Sequence, residues 1–109
     1  MEQLKFIKNY NQKLFCDAFT TIRPFKRTRS VGDEVKIILL RDGKGPIEMN
    51  ATIRHLHTTY LRDIPEYTFA TDTGMGKELA IDLFCNIYKK YGVDANSIQF
   101  QIITLTHKR

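Results

Sequence analysis

Two stretches of the chain alternate hydrophobic and polar residues, a third is apolar on both faces, and a fourth repeats its apolar residues at helical spacing. The cleanest alternation puts Ile47, Met49, Ala51 and Ile53 on one side and Glu48, Asn50, Thr52 and Arg54 on the other. That period of two predicts a strand buried on one face, which can continue through His57. Before it, Asp33 to Arg41 carries Val35, Ile37 and Leu39 on one face and Ile38 and Leu40 on the other. Apolar residues on both faces predict a central strand, or one bending around a barrel. The turn Asp42-Gly43-Lys44-Gly45-Pro46 joins these two strands as a hairpin. Ile98, Phe100 and Ile102 alternate with Gln99 and Gln101, predicting a closing strand to about Thr106. The move to Ile103 and Leu105 predicts a bulge there. Leu4 to Ile7 reads as an opening strand, and Thr20 to Arg23 as a short one ended by Pro24, which has no N–H to donate.

Leu79, Leu83, Ile87 and Tyr91, with Ala80, Phe84 and Tyr88 beside them, predict an amphipathic helix over Lys77 to Tyr91. Gly92 stops it, and Lys89 and Lys90 suit its negative end. Asp63, with Pro65 in the first turn, opens a brief helix to about Ala70, which Thr71-Asp72-Thr73-Gly74-Met75-Gly76 interrupts. Asn9 or Asn11 caps a short helix through about Phe19, in which Tyr10, Leu14, Cys16 and Ala18 loosely follow helical spacing. Together these elements predict an α+β fold: one domain over residues 1–109, a small, partly closed β-barrel of about five strands with two to three helices.

A chain of 109 residues can bury one core without metals or disulfides. Its 42% hydrophobic and 27% charged residues are too apolar for disorder. The net charge of +5 favours polyanionic partners. Cys16 and Cys85 fall in predicted helices without CxxC spacing and read as buried free thiols, which suits a reduced, cytoplasmic setting. The N-terminus carries no long apolar run, so neither a signal peptide nor a membrane association is expected.

Charge changes the picture at one place. Four of the 17 basic residues, Arg23, Lys26, Arg27 and Arg29, fall within seven positions of a loop between two strands, with Phe25 among them. Cations that pair phosphates and an aromatic that can stack on a base point to RNA or a nucleotide as partner, against the blander reading of a solvated loop. Lys5, Lys8 and Lys36 can extend the patch if the fold brings them alongside. Elsewhere, Thr20 and Thr21 stand beside Arg23, and a threonine nucleophile needs a base and an oxyanion donor. His55 and His57 share a face but have no third ligand nearby, so a surface role is expected and no metal or other cofactor is implied. Gly74-Met75-Gly76-Lys77 lacks the early glycine of a phosphate loop, and Glu78 stands where Ser or Thr should bind magnesium, which excludes an NTP site of that kind.

In order, the segments LKFI, a short helix, TTIR, a basic gap, VGD, a strand, a hairpin, an EL-containing helix and a closing IQFQII resemble the ASCH domains, small barrels of the PUA-like superfamily. The likeness spans nearly the whole chain and is strongest to the small ASCH amidohydrolases that remove the acetyl group from the exocyclic nitrogen of acetylated cytidine. That resemblance implies a lysine, a threonine and a glutamate acting together. The threonine falls on Thr21 and the glutamate on Asp72, one methylene shorter. The lysine falls on Ala18, which can neither accept a proton nor stabilise an oxyanion; Lys13, a helical turn or more away, is the candidate substitute. The PUA-like fold is also associated with RNA binding in a cleft beside the barrel. The sequence therefore supports first an RNA- or nucleotide-binding domain, with Thr21 and Asp72 in the cleft and Arg23, Phe25, Lys26, Arg27 and Arg29 on the ligand. An amidohydrolase is the second reading, and a regulatory module for an acidic protein partner the third.

Overall fold

The computed structural model describes residues 1–108; the side chains of Tyr10 and Asn11 lie outside the description, as does Arg109. Five strands, β1 (Glu2–Phe6), β2 (Ala18–Pro24), β3 (Glu34–Arg41), β4 (Lys44–Thr59) and β5 (Phe100–His107), form one sheet in the order β1-β3-β4-β5-β2. The β1–β3 pair is parallel and the other pairs are antiparallel. The sheet curls into a half-barrel, so the chain is a small α+β, partly closed barrel with helices α1 (Glu66–Thr73) and α2 (Lys77–Lys89).

Curling follows from β4. This strand of 16 residues pairs with β3 along its first half and with β5 along its second. The register slips between Ile53 and His55, leaving Arg54 as an extra residue. A bulge of this kind bends its strand and flips the alternation beyond it. Ile47, Met49, Ala51 and Ile53 face the barrel interior before the slip, and Leu56 does so after it. His55 and His57 consequently face outward and are exposed. The bulge expected in β5 at Ile103 and Leu105 lies instead in the strand opposite.

The sequence of β5 looks irregular because both its faces are buried. Ile103 and Leu105 join Leu4, Phe6, Val35 and Ile37 in the barrel interior, while Phe100 joins Ile22, Phe69 and Ala80 beneath the helices. α2 rests on the sheet through Ala80, Phe84 and Tyr88 and not through the neighbouring stripe, of which Leu79, Ile87 and Tyr91 are exposed. Phe84 and Tyr88 stack at 6.5 Å, and each meets Phe100 edge-on at 5.7 Å. These aromatic pairs select the face that packs.

Several predicted boundaries move. The helix expected through Phe19 is only a 3-10 turn over Tyr10–Phe15, because Phe19 is required in β2, buried and paired with Leu105. Cys16, expected inside that helix and buried, is instead exposed, while Cys85 is half-buried in α2; both are free thiols. The cap expected of Asn11 lies outside the described residues, and Asn9 Oδ1 accepts from Leu14 N at 2.9 Å. α1 begins after Pro65 and runs to Thr73, ending on Gly74 at φ +72°, a left-handed position suited to glycine. Near the end of β5 the ring of His107 lies 5.3 Å from that of Phe19, and its Nε2 donates to Leu14 O.

Candidate functional site: a cleft at the seam of the half-barrel

A half-barrel has two free edges, here β1 and β2, and unpaired edge carbonyls must find donors. Cations supply them. Arg23 Nη2 donates to Lys5 O at 2.7 Å, tying β2 to β1, and Lys13 Nζ donates to Thr20 O at 3.0 Å. The seam that remains opens as a cleft of about 260 Å³ between the β1–β2 edges and α2. Thr21, Arg23, Lys13 and Asp72 line its polar side; Phe84 and Tyr88 stand on the helix side.

The position of Lys13 is set by its neighbours. Gln12 takes φ +56°, a left-handed conformation that costs a residue with a Cβ roughly 1–2 kcal/mol. Leu14, fully buried beneath the barrel, offsets that cost by fixing the turn from the other side. Lys13 is thereby swung into the cleft, 8% exposed, with Nζ 2.9 Å from Asp72 Oδ1. Asp72 was expected in a glycine-flanked loop; it sits in the last turn of α1, 3% exposed, and also accepts from Thr20 Oγ1 at 3.0 Å. Thr21 is 3% exposed, and its Oγ1 accepts from Arg23 Nε at 3.2 Å. Arg23 in turn lies over the ring of Phe6, 4.6 Å from its centroid.

Electrostatics make the Lys13 ammonium easier to deprotonate than an exposed one. Burial pushes the Lys13 pKa down from 10.5, the Asp72 carboxylate pulls it back in part, and the Arg23 charge lowers it again, for a net decrease. Burial likewise lowers Arg23 and raises Tyr88, which therefore stays an un-ionised hydroxyl beside the cleft. Because Asp72 raises the Lys13 pKa, Asp72→Asn is expected to lower it further. The titration of a labelled lysine Cε by NMR checks this. A Lys13 resonance titrating with the exposed lysines, or moving upward in the variant, contradicts this balance of burial against charge.

The basic loop does not act as one patch. Arg23 belongs to the cleft. Arg29, expected on phosphate, is 8% exposed and bonded internally: Nε and Nη2 donate to Glu2, and Nη1 donates to Pro24 O and to Gln101 Oε1, both at 2.7 Å. It fastens the loop to β1 and β5, and its expected phosphate contact is corrected on that ground. Lys26 keeps 58% of its side chain exposed at 3.4 Å from Glu2, Phe25 is 44% exposed, and Arg27 is exposed. Lys5 and Lys8 line the cleft, whereas Lys36 lies on β3 opposite Gln3. A wider hollow of about 540 Å³ beside the loop is walled by Glu2, Lys26, Arg29, Asp33 and Glu34, in which Lys26 and Arg29 pair with Glu2, and Thr21, Lys13 and Asp72 do not line it.

Among the described residues no group of three or more His, Cys, Asp or Glu side chains is placed to hold a metal ion, and no helix is long and apolar enough to cross a membrane. Compared with known proteins, the chain matches no family model, no curated protein and no solved structure. Lys13 is the residue that reading by position undervalues. Its signal was its chemistry, a lysine beside a fully buried leucine, and not its distance from Thr21 in sequence.

Proposed function

We propose that this chain is an ASCH-type amidohydrolase that removes a small acyl group from the exocyclic nitrogen of a cytidine-like nucleoside. One observation carries the reading: a buried Lys13–Asp72 pair occupies the same cleft as Thr21, supplying an amine where Ala18 has none. The cleft volume lies just under the roughly 300–1,000 Å³ usual for drug-sized ligands, which suits one base with its sugar and not a duplex. In the proposed step, neutral Lys13 takes the proton of Thr21 as Oγ1 attacks the acyl carbon. The C–N bond then breaks, the proton passes from Lys13 to the leaving nitrogen, and water hydrolyses the acyl-threonine ester. Asp72 orients the amine, and the Arg23 guanidinium, held beside Thr21 Oγ1, stabilises the negative charge that develops on the acyl oxygen.

The test is acetate release from N4-acetylcytidine, followed by chromatography of the cytidine formed. Thr21→Val keeps the shape and removes the hydroxyl, and a loss of about 10³-fold or more is expected. Absence of turnover at high enzyme concentration across acetylated cytidine and related N-acyl nucleosides overturns the proposal. Binding of RNA or a nucleotide without turnover is the second reading, favoured by the exposure of Phe25, Lys26 and Arg27 on one loop. Arg27→Ala then weakens RNA binding and flattens its salt dependence, which leaves turnover untouched.

A further inference from the structure

The proposed reaction uses only one oxygen of Asp72. Its Oδ1 takes both internal donors, Lys13 Nζ at 2.9 Å and Thr20 Oγ1 at 3.0 Å. Among the described residues, Oδ2 has no donor. The side chain is 4% exposed, and the residue lines the cleft. The one described side-chain polar atom that is sealed away without a partner is Asn9 Nδ2, so Oδ2 keeps an opening, and Asp72 opens onto the cleft. A nearly buried carboxylate oxygen without a donor is costly to the fold. Its place adds to that cost, because Asp72 stands in the last turn of α1, where the helix dipole disfavours negative charge. A ligand that brings a donor to Oδ2 supplies what the chain leaves out.

The rest of the lining says what that donor belongs to. Asp72 is the only carboxylate among the described residues that line the cleft. The side chains of Lys5 and Arg23 carry donors and no acceptor, and Thr21 Oγ1 already accepts from Arg23. A base edge with an amino N–H beside carbonyl and ring-nitrogen acceptors complements this set, its amino group on Oδ2 and its acceptors towards the cations. An oxo group in the amino position sets acceptor against acceptor. From this we infer that Asp72 is a specificity-determining residue whose Oδ2 accepts from the exocyclic N–H of the bound base, so that the cleft takes an amino-pyrimidine in preference to an oxo-pyrimidine. It rests on the proposed cleft reading for where the base lies, but not on catalysis. On the same ground an acyl substrate must be a secondary amide, which keeps that N–H.

Calorimetric titration of the full chain with cytidine and with uridine tests it. Cytidine is expected to bind about tenfold tighter or more, as a hydrogen bond to a charged group allows. Asp72→Asn is the decisive variant. Lys13 Nζ and Thr20 Oγ1 are both donors, so the asparagine amide gives them its oxygen and its NH₂ takes the place of Oδ2. The acceptor there becomes a donor, and uridine is expected to bind at least as tightly as cytidine. A purely structural Asp72 weakens both ligands together and leaves their ratio unchanged, which overturns the inference. Equal affinities in the unmodified chain, or no binding of either ligand at about 1 mM, overturn it too. If Asp72→Asn does not fold, the riboside of 2-pyrimidinone, with hydrogen in place of the amino group, makes the same test on the unmodified chain. It is expected to bind about tenfold more weakly than cytidine, and an equal affinity overturns the inference. The two proposals fail separately. Cytidine preference without turnover of acetylated cytidine sinks the hydrolase and keeps the Asp72 contact. Turnover with equal affinities for cytidine and uridine does the reverse.

Discussion

If the proposed mechanism holds, replacing Lys13 by methionine is expected to abolish deacetylation, and in the same protein to destabilise the fold. The amine is the buried basic partner of Asp72, at 2.9 Å, and removing it leaves a carboxylate 3% exposed with Thr20 Oγ1 as a remaining donor. Breaking a buried pair from one side costs about 3–5 kcal/mol, because the surviving charge keeps its desolvation cost and loses its counter-charge. Loss of a general base removes about 10²–10⁴-fold in rate. The two effects separate in the double variant Lys13→Met/Asp72→Asn, which removes both charges of the pair. Its stability should recover most of the loss while turnover stays at the background level. A stable double variant that still releases acetate would show that Lys13 takes no part in the chemistry.

The same lysine makes stability depend on pH. A buried amine with a lowered pKa binds its proton less readily in the folded chain than in the unfolded chain. Between the lowered value and the ordinary 10.5, the unfolded state therefore holds more protons, and stability rises with pH across that window. Lys13→Met removes this contribution. On the proposed mechanism, turnover should rise as pH approaches the lowered value, where the base loses its proton, and level off above it.

The sequence made the strands legible because their periodicity records burial directly. Ile47 to Ile53 alternates as a half-buried strand must, and it faces the barrel interior. Val35 to Leu39 sits in the flanked strand that its two apolar faces required. Local reading failed where a residue answers to something distant. Arg54 has no sequence mark as a bulge; it is one because Ile53 and Leu56 must both reach the same core. Phe19 looked like the end of a helix until Leu105 was there to pair with it. The candidate site divides in the same way. Thr21 and Asp72 were found by their place in a motif, and they do line one cleft. Lys13 could not be found so, because its position depends on a left-handed residue at Gln12 and a buried Leu14, a geometry that spacing does not encode. Charge clustering misled for a related reason: four cations adjacent in sequence point to three different environments once Arg23 meets the cleft and Arg29 meets Glu2.

That separation of the loop gives the second large effect. Arg29→Met is expected to cost about 3 kcal/mol, the low end for a buried pair, since Glu2 keeps 18% of its side chain exposed. The loss has several parts: Gln101 Oε1 and Pro24 O lose a donor, and Glu2 loses all three of its bonds to the guanidinium. For a domain of this size the melting temperature should fall by more than about 10 °C. Arg27→Ala, two positions away on the exposed part of the same loop, should change stability by no more than about 0.5 kcal/mol. Acid sensitivity gives an independent check. Burial pushes the Glu2 carboxyl up, but the bonds and charge of Arg29, with Lys26, outweigh it and hold the pKa below 4.5. The folded chain therefore gives up that proton more readily than the unfolded one, so this stabilisation is complete above pH 4.5 and is lost as pH falls through the lowered value. In Arg29→Met the main source of the lowering is gone, and the acid-side slope of stability should flatten. If Arg29→Met and Arg27→Ala melt together, the loop is not fastened by this contact, and Arg29 returns to the set of cations available to a ligand.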